Sequence, residues 1–98
     1  MQTFYDKSPY VFISASAFLN CSSLYEINIP GCSQIGVSAF GNCNSLSVVN
    51  IKSCKYIGQS AFYNCRKIKA LDVPYCSSIG AYAFYNCSAL SEITLTSC

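Results

Sequence analysis

One pattern of apolar and polar positions is written four times along the chain at a fixed spacing of 22 residues. Ile13, Ile35, Ile57 and Ile79 fall in one column, Ala17, Ala39, Ala61 and Ala83 in a second, and Phe18, Phe40, Phe62 and Phe84 in a third. Asn20, Asn42, Asn64 and Asn86 follow, then two columns of cysteine: Cys21, Cys43, Cys65, Cys87 and Cys32, Cys54, Cys76, Cys98. No residue is inserted or lost between copies. Repetition at such a period predicts a stacked solenoid, because one copy buries too little apolar surface to fold alone and neighbouring copies must supply the rest.

Within a copy the periodicity changes partway. Val49 and Ile51 alternate with Val48, Asn50 and Lys52, as the two faces of a strand should. The other half, Ser38 to Cys43, carries Ser38 in the position of a helix N-cap, Ala39 and Phe40 as an inward pair, and Asn42 just before the cysteine. Ser and Asn favour caps and turns, and Asn tolerates the left-handed backbone. The expected coil has one strand followed by a short helical or 3₁₀ turn ending near Asn42. Gly36, Gly58 and Gly80 follow the isoleucine column, but Ser14 stands there in the first copy, so a positive φ is not what the position requires. Residues 1–12 are a degenerate lead-in: shifted by 22, Tyr5 falls on Ile27 and Lys7 on the apolar Ile29. Residues 13–98 form the solenoid, with units starting at 13, 35, 57 and 79 and the last incomplete.

The string G-x-x-A-F-x-N-C-x-x-L, close to intact in copies two to four with Ile68 for Leu in the third, resembles the BspA-like leucine-rich repeats of bacterial and protist surface proteins. Leu46, Val49, Ile51 and Cys54 fit the L-x-x-L-x-L-x-x-N/C strand signature. The resemblance implies a right-handed α/β solenoid with a parallel β-sheet on its concave face and short helical turns on the convex one. It also implies an extracellular or cell-surface location, adhesion or other protein binding, and no catalytic residues.

Composition narrows the function from another side. Hydrophobic residues make up 52% of the 98 and charged residues only 10%, which excludes disorder. A net charge of +2 is too small a field to argue for nucleic acid, and no apolar run approaches the ~18 residues of a membrane span. There is no histidine, and the four acids are scattered, so neither catalysis nor a cofactor is expected. The eight cysteines suggest a disulfide framework or a metal site, but stacked columns hold Cβ vectors parallel and sulfurs in a line; buried thiols fit that geometry better than bridges or a tetrahedral ion.

Core positions repeat; outward strand positions do not. Glu26, Val48, Ala70 and Glu92 form one variable column, Asn28, Asn50, Asp72 and Thr94 the next, and Lys52, Pro74 and Thr96 belong to a third, with Lys69 leading into its strand. These are the candidate residues for a protein or host-surface ligand. Tyr63, Tyr82 and Tyr85 are expected to form an aromatic patch on the convex side. Neither end carries the polar run that closes a solenoid, so end-to-end stacking into a filament is the alternative function.

Overall fold

A computed structural model describes residues 2–95; Met1, Thr96 and Cys98 lie outside them. The chain winds through about four coils of parallel strands. One side is built from β1 (Gln2–Tyr5), β3 (Leu24–Asn28), β5 (Val48–Asn50), β7 (Ala70–Asp72) and β9 (Glu92–Thr94), paired as β1-β3-β5 and β7-β9. A second side, which the sequence pattern did not predict, is a continuous four-stranded sheet of β2 (Val11–Ile13), β4 (Cys32–Ile35), β6 (Tyr56–Ile57) and β8 (Ser78–Ile79). The register is 22 at Glu26↔Val48, Gln34↔Tyr56 and Ala70↔Glu92.

The expected helical turns are absent: no helix occurs among the described residues. The third side is a ladder of turns. Ser16, Ser38, Ser60 and Tyr82 have φ between 55° and 59°, and Asn20, Asn42, Asn64 and Asn86 between 58° and 64°. Ser38 is therefore a left-handed residue rather than a helix cap. Two such residues four apart break the helical path and turn alternate N–H groups out of the coil. Ser38, Phe40 and Asn42 donate to Gln59, Ala61 and Tyr63 of the next coil at 2.8 to 2.9 Å, while Ala39, Gly41 and Cys43 donate three residues back within their own coil. A helix would satisfy these donors internally and leave adjacent coils with nothing to share; the ladder satisfies the same groups and joins the coils.

Inside the three sides, Phe40, Phe62, Ile27, Ile35, Leu46 and Ile51 are fully buried. The phenylalanine rings stack coil on coil, Phe18–Phe40, Phe40–Phe62 and Phe62–Phe84 at 5.1, 5.3 and 5.7 Å with planes within 7° of parallel. The lead-in joins this stack. A register shift between Gln2 and Thr3 sets Phe4, rather than Tyr5, opposite Ile27, and the Phe4 ring lies 4.8 Å from that of Phe18. A second shift at Val11 and Phe12 puts Val11 opposite Cys32 and leaves Tyr10 87% exposed.

None of the glycines has positive φ; the glycine column serves close approach instead. A Cβ on Gly58 would stand 2.8 Å from the Gly36 carbonyl carbon and 2.9 Å from the Ile35 oxygen. Gly36, Gly58 and Gly80 each pack on the coil before them, and Ser14, with no described coil on that side, keeps its side chain exposed.

Candidate binding face

The strands β3, β5, β7 and β9 bring most of the variable columns onto one face. Glu26 aligns with Val48 and Asn28 with Asn50; Ala70 aligns with Glu92 and Asp72 with Thr94. Between the two pairs the ladder is interrupted: β5 and β7 are in contact, but no strand pairing joins them. Val48, Ala70, Asp72, Glu92 and Thr94 are exposed, and Glu26, Asn28 and Asn50 half-buried. The flanking candidates stand outside the strands: Lys69 precedes β7, and Lys52 and Pro74 lie in the turns that follow β5 and β7. No ion pair joins Lys52 to Asp72 among the described residues. The amide of Asn50 donates from Nδ2 to Asn28 Oδ1 at 2.9 Å, a side-chain rung that stops where Asp72 replaces Asn.

A longer asparagine ladder runs along the turn side. Asn42 Nδ2 donates to Asn20 Oδ1 at 2.9 Å, and Asn64 Nδ2 to Asn42 Oδ1 at 2.7 Å; the Asn64 Oδ1 is buried without a partner. Its sequence signal was the invariant column itself. Beside it, Gly41 leaves the space that the Tyr63 ring fills, and the Tyr63 hydroxyl lies 3.3 Å from Asn42 Nδ2. Tyr63 is thus tied into the fold, while Tyr82 and Tyr85 stand exposed, edge to face at 5.9 Å.

No disulfide joins the described cysteines, five of which are buried. Cys43, Cys65 and Cys87 donate S–H to the carbonyls of Phe18, Phe40 and Phe62 in the preceding coil at 3.0 to 3.2 Å. Cys32, Cys54 and Cys76 donate within their own turn to the carbonyl two residues on. Burial pushes the Cys43 thiol up to about 11 and raises Cys65 and Cys87 as well. Cys54 is pushed up first by its Cys32 neighbour and then by burial, while the Cys54 thiol beside it holds Cys32 down, since two adjacent thiols resist ionising together. Thiols held protonated, as Cys43, Cys54, Cys65 and Cys87 are, make poor nucleophiles and poor metal ligands. Among the described residues no His/Cys/Asp/Glu group could hold a metal ion, and no pocket opens on the surface.

Parallel strands stacked at a 22-residue period, with stacked rings and thiols inside, define a leucine-rich-repeat β-solenoid. The family profile of the BspA type leucine-rich repeat region (six copies) matches residues 11–98, and the chain belongs to that family. No curated protein and no solved structure matched the chain.

Proposed function

We propose that the chain is a non-catalytic binding module of a secreted or surface-displayed protein, engaging a protein partner through the face of β3, β5, β7 and β9. The observation that carries this is the contrast within single strands. In β7 the inward Leu71 repeats the core pattern, whereas Ala70 and Asp72 on either side are exposed and differ from their counterparts in other coils. A surface on which no pocket opens among the described residues suits a macromolecular partner better than a small molecule, and a solenoid's sheet is its usual recognition surface. The family, typical of surface-associated proteins, supports the extracellular assignment.

The test uses the chain immobilised on beads and an extracellular-matrix protein extract. Asp72→Lys with Glu92→Lys should abolish capture while leaving the circular dichroism spectrum unchanged; undiminished capture rejects this face. Sedimentation at several concentrations should give one defined species, and length growing with concentration would favour the filament instead.

A further inference from the structure

The second sheet carries its own surface, independent of the face just described. Phe12, Gln34, Tyr56 and Ser78 form one register column across β2, β4, β6 and β8. All four point outward, since Ile13, Ile35, Ile57 and Ile79 next to them face the core. Phe12 is 72% and Tyr56 50% exposed, so both rings leave apolar surface in water that a ligand could cover. Aromatic and polar residues alternate along the column, so the rings stand two strand spacings apart, about 9.6 Å. That pitch is close to the length of an extended disaccharide, and Gln34 and Ser78 offer hydrogen-bonding groups at the intervening steps.

Charge favours an anionic chain. Of the four acids in the sequence, Glu26, Asp72 and Glu92 lie in β3, β7 and β9 on the other strand side, and Asp6 is engaged by the Ser8 N–H at 2.9 Å in the loop before β2. This face carries no acid, and exposed Lys55 stands next to Tyr56. Among the described residues no pocket is present to enclose a monosaccharide, so the ligand lies along the surface.

We propose that this face binds an extended β-linked polysaccharide with a disaccharide repeat bearing one carboxylate, alternate sugars stacking on Phe12 and Tyr56 and a carboxylate meeting Lys55. The probe is a hexasaccharide of alternating glucuronate and N-acetylglucosamine, titrated into isotopically labelled chain and followed by NMR, with a neutral cello-oligosaccharide of equal length for comparison. Shifts should concentrate on β2, β4, β6 and β8. Phe12→Ala and Tyr56→Ala should each weaken binding about tenfold, as loss of an aromatic anchor does, and Lys55→Glu should weaken the acidic probe selectively. The decisive variant exchanges two residues, Gln34→Tyr with Tyr56→Gln, keeping composition but placing the rings one strand apart; its affinity should fall as far as that of Tyr56→Ala. Unchanged affinity in the exchanged variant, no shifts on this face, or equal binding of the neutral probe would overturn the proposal. Both aromatic side chains are exposed, so these substitutions leave the core intact.

Discussion

At the scale of single residues, the cysteines show how a chemically conspicuous side chain becomes structural. Cys43 is wholly buried and donates its proton to the Phe18 carbonyl in the coil before it. Ionising it would place an unpaired charge in an apolar interior and break that bond. Its pKa rises from 9.0 to about 11 in the fold, so the folded state holds the proton more tightly than the unfolded state does. The stability this contributes is complete below pH 9 and is lost as pH climbs toward 11. The thermal midpoint should therefore be flat through neutral pH and fall above about 9, with a shallower fall in Cys43→Val. Iodoacetamide at pH 8 should leave the buried Cys43, Cys54 and Cys65 unmodified until denaturant is added; rapid labelling of these three in the native chain, read by mass spectrometry, would contradict the buried-thiol reading.

At the scale of elements, the turn side is where reading the sequence and seeing the fold part company. Ser38 and Asn42 carry two meanings, because both residue types cap helices and both relieve irregular backbone. The pattern alone does not choose, but the stack does: N–H groups at Ser38, Phe40 and Asn42 bond across coils, which a helix would forbid. The second sheet was hidden for a different reason. Its strands are two to four residues long, too short for an alternating pattern to register, and Tyr56 between Cys54 and Ile57 reads as a loop. Asn64 tests the turn ladder most directly. It combines a φ of 60° with a 2.7 Å amide bond to Asn42. Asn64→Ala loses both, and should cost about 2 kcal/mol in urea denaturation. Asn64→Gly restores the backbone preference alone and should fall between the two; a glycine variant no better than alanine would show that the left-handed conformation is not limiting.

At the scale of the molecule, the inward residues were legible because every coil imposes the same volume at the same place. Phe40 sits between Phe18 and Phe62, and any coil that changed that residue would disturb two neighbours. The outward residues meet no such constraint, so Asp72 or Phe12 in the sequence looks the same whether it meets solvent or a ligand. This division has a consequence for how the whole chain can be cut. If each coil touches only its neighbours, the free energy is a sum of coil and interface contributions, and a complete coil is removable. Excising residues 57–78, one period, joins Tyr56 to Ile79 and brings Phe84 over Phe40, Asn86 over Asn42 and Gly80 against Gly36. That variant should unfold cooperatively, with a denaturant slope lower by about a quarter because less surface is exposed on unfolding. Excising 57–77 instead displaces every later residue by one position, setting Phe84 over Gly41 and exchanging inward for outward side chains in β8 and β9. It should give no cooperative transition. Equal folding of the two deletions would mean that the period is not what holds the coils in register, and failure of both would mean that the coils do not contribute as separable neighbours.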